Sequence, residues 1–166
     1  MPLLLEDVQL PQLLAVLDAE TRETQQKPGV RFEWTIPTDL PALRTDRIKL
    51  KVVLKNLIVN AVKFTEAGTV TVDARASDGG LELSVADTGI GIPEAAHSMI
   101  FEAFQQLDSS TTRAHRGVGL GLYIVSRLLD LLGGRIVVES IVGSGSTFRV
   151  WLPLESPPHA SSAAPV

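Results

Sequence analysis

Apolar residues recur at helical spacing in three stretches of the chain and alternate with polar ones in five others. Leu10, Leu13, Leu14 and Leu17 share one face of a helix predicted to run to about Gln26, where Pro28 and Gly29 end it. Val30 to Ile36 alternates as a half-buried strand does, and the turn-rich Pro37 to Pro41 follows. Asp46 is placed to cap a second helix, which carries Leu50, Val53, Leu54, Leu57 and Ala61 on one face and runs to about Thr65. Thr69 to Ala76 and Leu81 to Ala86 are alternating runs joined by Asp78-Gly79-Gly80, a hairpin signal. From Asp87 to Gly117 the pattern is irregular, with short helical pieces after Pro93 and around Phe101 to Gln106. A segment of about 30 residues of that kind inside a domain reads as a functional lid. A third helix occupies Gly119 to Leu132, ended by Gly133-Gly134, and Arg135 to Ser140 and Ser146 to Leu154 form a second hairpin.

Runs of antiparallel strands whose helices must all cover one face give an α+β, two-layer α/β sandwich with a mixed, mostly antiparallel sheet under about three helices, not a doubly wound fold. The expected domain is 1–154; Glu155 to Val166 lacks periodicity and reads as a tail or linker.

Composition narrows the function. With 166 residues and 45% hydrophobic content the chain has enough for one core, and with no cysteine it relies on neither disulfides nor thiolate metal sites. A net charge of -4 argues against a nucleic-acid-coating surface, which needs clustered cations. The start has no basic region, and no stretch approaches the roughly 20 apolar residues of a membrane span. The expectation is a cytoplasmic domain without direct membrane contact.

Asn56, Asn60 and Lys63 fall four and three residues apart, on one helix face. A solvated polar stripe is the ordinary meaning of such a face, but asparagine is a poor interior helix former, and Glu, Lys or Gln would serve a stripe better. A neutral amide oxygen suits a hard Mg²⁺ ion already bridged to phosphates, and a lysine one turn on can meet the phosphates. Asp87 ends an apolar strand before Gly89 and Gly91. It reads either as a strand-ending turn residue or as a carboxylate that accepts from the exocyclic amine of adenine, with glycines letting the backbone pass close to the ring. Gly117-Val118-Gly119-Leu120-Gly121-Leu122 opens a helix, whose free N–H groups and dipole suit an anion. Its G-x-G-x-G spacing is not the G-x-G-x-x-G of a dinucleotide fold and lacks the Gly-Lys-Ser/Thr of a P-loop. Together these residues describe an ATP site.

In this order they resemble the catalytic ATP-binding domain of sensor histidine kinases, in the Bergerat-fold family that also holds gyrase- and MutL-type ATPases. Asn56 to Thr65 resembles the N box, Asp87 to Gly91 the first glycine box, Phe101-Glu102-Ala103-Phe104 the F box, Gly117 to Leu122 the second glycine box, and Gly143 to Phe148 the closing segment. The resemblance implies that Asn60 is the main Mg²⁺ ligand with Asn56 assisting, that Lys63 meets phosphate, and that Asp87 reads adenine with support from Thr147. It places Phe64, Gly89, Gly91, Ile92, Gly117, Gly119, Leu120, Gly121 and Leu122 along the nucleotide. Arg113 and Arg116 would flank the phosphates, Phe101 and Phe104 would anchor the lid, and His115 would be a lid surface residue.

ATPases of this family carry a glutamate base one turn before the Mg²⁺ asparagine, where this chain has Asn56, so transfer is favoured over fast hydrolysis. None of His97, His115 and His159 sits in a phosphoacceptor context. The resemblance therefore implies a histidine on a dimerisation domain absent from this chain, a response regulator downstream, and a monomeric isolated domain. A serine kinase of the anti-sigma kind and an ATP-sensing module without transfer remain as alternatives.

Overall fold

The computed structural model describes residues 2–102 and 116–157, with the backbone alone for 116–120. The elements run β1 (Leu5–Val8), α1 (Leu10–Glu20), β2 (Val30–Thr35), β3 (Leu43–Asp46), α2 (Arg47–Lys63), β4 (Gly68–Ser77), β5 (Gly80–Asp87), α3 (Arg116–Leu132), β6 (Arg135–Ile141) and β7 (Gly145–Pro153). Five strands make one sheet in the order β2-β4-β5-β7-β6, parallel only between β2 and β4. This is the expected mixed, mostly antiparallel sheet of an α+β sandwich.

Alternation decides which face is covered. Val70 and Val72 of β4, Leu81, Leu83 and Val85 of β5, and Phe148, Val150 and Leu152 of β7 are buried, and they meet the buried stripes Leu10, Leu13, Leu14, Leu17 of α1, Leu50, Val53, Leu54, Leu57, Ile58 of α2 and Leu122, Val125, Leu129 of α3. The opposite face is polar: Arg149 Nε donates to Glu139 at 2.7 Å and Arg75 Nε to Glu82 at 2.9 Å. The β4–β5 hairpin closes through Asp78 (φ 49°) and Gly79 (φ 72°), a two-residue turn whose left-handed backbone matches strand twist.

Three expectations are corrected and one element is added. Helix α1 stops at Glu20, where Thr21 turns its hydroxyl back onto Leu17 O at 2.7 Å, and Thr24–Gln26 is a separate 3-10 turn. Helix α3 begins at Arg116, three residues before Gly119. β1 and β3 form an unforeseen antiparallel ribbon, because four residues such as Leu5-Glu6-Asp7-Val8 are too few to show a period of two. Residues 155–157 are not tail: Ser156 is fully buried, its N–H donates to Arg44 O at 2.8 Å, and its hydroxyl pairs with that of Thr45 at 2.9 Å. Residues 158–166 and the lid stretch 103–115 lie outside the described residues.

Asp46 binds the ribbon to α2. It is the N-cap, accepting from Lys49 N at 3.1 Å, and its second oxygen accepts from Leu4 N at 3.0 Å and Lys49 Nζ at 3.0 Å. Burial raises its pKa, but these donors outweigh burial and leave it below the ordinary aspartate value.

Candidate functional site

The site grows from the C-terminal half of α2. Asn56, Asn60 and Lys63 lie on the flank away from the apolar stripe. Asn56 Nδ2 donates to Val52 O at 2.8 Å, which turns Oδ1 toward α3, where a Cβ at Gly121 would stand 3.1 Å away. That same Cβ would lie 3.9 Å from Asn60 Nδ2. Gly121 is therefore the point where α3 crosses the two asparagines, and its missing side chain leaves them room. Asn60 Nδ2 is buried and has no hydrogen-bond partner among the described residues. An unpartnered buried N–H donor costs about 1–3 kcal/mol, so Asn60 Nδ2 points to an acceptor, such as a phosphate oxygen, that completes it. Lys63 is exposed in the last turn, its ammonium 5.7 Å from the Phe64 ring centroid.

The end of α2 is latched to the Asp87 loop. Phe64 N–H donates to Asn60 O at 3.0 Å, and Phe64 O accepts from Ile90 N at 3.2 Å. A Cβ on Gly89 would overlap Phe64 O, and one on Gly91 (φ 77°) would overlap Ile141 O. Both glycines are thus demanded by neighbouring protein backbone, a stronger reason than the expected approach to a base. Lys27, unnoticed in the sequence, donates to Val62 O at 3.2 Å and Lys63 O at 3.3 Å and so neutralises the carbonyl end of α2.

Asp87 ends β5 on the covered face, 8% exposed. Burial pushes its carboxyl above the ordinary aspartate value, against the pull of backbone N–H groups from Gly89, at 2.9 Å, and Ser146. Thr147 is not its neighbour. Thr147 pairs with Ala86, and strand alternation turns it to the polar face; Ser146 stands in register with Asp87 and is buried. The inward set Phe148, Val150 and Leu152 is the signal that assigns the position to Ser146. Ser146 Oγ lies 2.7 Å from Ser140 Oγ, and Ser140 accepts from Ile92 N at 2.7 Å and donates to Gly145 O at 2.9 Å. Ile92 is held at both ends, since its carbonyl accepts from His97 Nε2 at 3.0 Å.

Gly117, Gly119, Leu120 and Gly121 lie in the first two turns of α3. Leu122, expected along the nucleotide, is 1% exposed and belongs to the core. Phe101 packs edge-on against Phe148, centroids 6.2 Å apart, which joins the F-box region to the sheet. Arg113, His115 and Phe104 lie outside the described residues, as does the side chain of Arg116. Among the described residues no three His, Cys, Asp or Glu converge, so a cation held at Asn56 and Asn60 would need oxygens from a ligand.

Known proteins share this fold. Residues 45–156 match the family described as histidine kinase-, DNA gyrase B- and HSP90-like ATPases. The circadian input-output histidine kinase CikA of Synechococcus elongatus is 42% identical over 150 residues, which are 86% of this chain and 20% of CikA. The chain thus spans a fifth of that kinase. The crystal structure of full-length ShkA in complex with AMPPNP superposes with a TM-score of 0.82 at 36% identity, over 96% of this chain and 33% of ShkA. The catalytic domain of histidine kinase ThkA gives 0.79 at 26% identity, over 95% of this chain and 99% of that domain. The chain belongs to the histidine kinase-, DNA gyrase B- and HSP90-like ATPase family, as an ATP-binding catalytic domain of the sensor histidine kinase type.

Proposed function

We propose that this domain binds Mg²⁺-ATP between α2, the Asp87 loop and the start of α3, and passes the γ-phosphoryl group to a histidine on a dimerisation domain outside the chain. The observation that carries the reading is the buried, unpartnered N–H donor Asn60 Nδ2, which calls for an acceptor such as a phosphate oxygen beside Gly121 at the glycine-rich start of α3. Asn60 and Asn56 would hold Mg²⁺ through their amide oxygens, Lys63 and the N-terminus of α3 would meet phosphate, and Arg113 or Arg116 would add charge there. Asp87, Ile92 and Ser146 face the base, and an ionised Asp87 accepts from the amine of adenine. The metal ion supplies charge neutralisation as the phosphoryl group moves.

Transfer, not hydrolysis, suits the residues present. Helix α2 contains no acidic residue, and the Asn56 amide is tied back to Val52 O, so no general base stands on this face to activate water. The acceptor domain would pass phosphate onward to a response regulator, and the isolated domain is a monomer.

The test is incubation with γ-labelled ATP and Mg²⁺, with and without a separately supplied histidine-bearing dimerisation domain. Acid-labile label on the added domain alone is the expected result. Rapid release of free phosphate without protein label would overturn it in favour of hydrolysis, and label on serine would favour an anti-sigma-type kinase.

A further inference from the structure

The hydroxyl of Ser140 fixes the direction of a proton next to Asp87. A serine hydroxyl has one hydrogen and two lone pairs. Ser140 donates its hydrogen to Gly145 O at 2.9 Å, since a carbonyl can only accept. One lone pair takes the Ile92 N–H at 2.7 Å. Ser146 Oγ, at 2.7 Å, can therefore meet Ser140 only as a donor. Its own hydrogen is spent, and what it offers in any other direction is lone pairs.

Ser146 stands in register with Asp87, whose carboxylate also only accepts. Two acceptors side by side select a ligand edge rich in hydrogens where they meet it directly. We propose that Ser140 is a positioning residue for base selectivity: by consuming the Ser146 hydrogen it makes the base edge of the site acceptor-only, which favours a 6-amino purine and repels a 6-keto one. This rests on the reading of Asp87 as the base-binding carboxylate. Ser140 itself touches no ligand; its effect passes through Ser146 and through the Ile92 peptide.

Removing the Ser140 hydroxyl frees the Ser146 hydrogen to turn toward a keto oxygen. Calorimetric titration with ATP and with inosine triphosphate, which carries a carbonyl in place of the amine, reads this directly. In Ser140→Ala the ratio of ATP to inosine triphosphate affinity falls about tenfold, the worth of one matched hydrogen bond. Ser140→Thr, which keeps the hydroxyl, restores the ratio. Ser140→Cys keeps the volume with a weaker acceptor and carries the same expected direction where the alanine variant does not fold. An unchanged ratio, even with both affinities lowered together, would overturn the proposal and leave Ser140 a purely structural residue. The base-site reading fails separately, through a wild-type protein that does not prefer ATP or an Asp87→Asn variant with an unaltered ratio.

Discussion

Gly121 stands so close to Asn56 that a methyl group in place of its α-hydrogen would lie 3.1 Å from the amide Oδ1. That contact is tight enough to shift the asparagine by a few tenths of an ångström, and it comes where α3 crosses the proposed metal site.

Gly121→Ala should therefore separate stability from binding. Alanine favours a helix interior over glycine by about 1 kcal/mol, so the ligand-free melting temperature holds or rises. The displaced Asn56 oxygen weakens Mg²⁺-ATP binding by about tenfold, a misfit of roughly 1.4 kcal/mol. Thermal melts and titration calorimetry on one preparation check both directions; a parallel loss of stability and affinity would contradict the account.

Asn60→Ala removes Nδ2, the one buried side-chain N–H donor without a partner among the described residues. An unsatisfied group costs about 1–3 kcal/mol, so its removal offsets part of the packing lost and leaves the ligand-free fold near its original stability. Nucleotide affinity measured with Mg²⁺ falls, and affinity in excess chelator changes little. Equal losses in both conditions would show that Asn60 does not hold the metal.

The carboxyl of Asp87 titrates above the ordinary aspartate value because burial outweighs the N–H groups of Gly89 and Ser146. ATP binding by an ionised acceptor is constant above that pKa and declines as pH falls through it, so the decline begins at a higher pH than for an exposed aspartate. The same shift has the opposite effect on the empty fold: the raised pKa means the folded state binds the proton more tightly, and this group's contribution to stability falls as pH rises. Calorimetry and melts across the acid range read both limbs.

Asp46 carries a lowered pKa, so its contribution is present above the unfolded aspartate value and is lost as pH falls through the lower, folded one. Asp46→Ala removes the cap of α2, strands the backbone N–H groups of Leu4 and Lys49, and leaves Lys49 Nζ with Pro2 O. A loss of about 2–3 kcal/mol is expected at neutral pH, from a cap worth about 1 kcal/mol plus the stranded donors. Urea unfolding would show it, with a smaller difference from wild type in strong acid.

The layout of helices, hairpins and sheet was legible because long amphipathic runs such as Leu50 to Val62 carry the core pattern many times over. Short or irregular pieces were not. β3 is four residues ending in a helix cap, and Glu155 and Ser156 are held by backbone pairing to Arg44 and one hydroxyl contact with Thr45, too few residues to show a period. Asn56, Asn60 and Asp87 could be singled out because their chemistry is costly in a helix interior or on an apolar strand. The assignment of Thr147 failed by one residue because strand register is set by neighbours: Phe148 faces inward beside Val85, which puts Ser146, not Thr147, beside Asp87. Ser140 and Lys27 are ordinary in sequence, and only the fold brings them to Ser146 and to the end of α2.

The most direct test of the ATP site is titration calorimetry of wild type and Asp87→Asn with ATP and Mg²⁺. Saturable binding by wild type, lost in a variant whose circular dichroism and melting are preserved, is the predicted result. Unchanged affinity in Asp87→Asn would contradict the site as drawn.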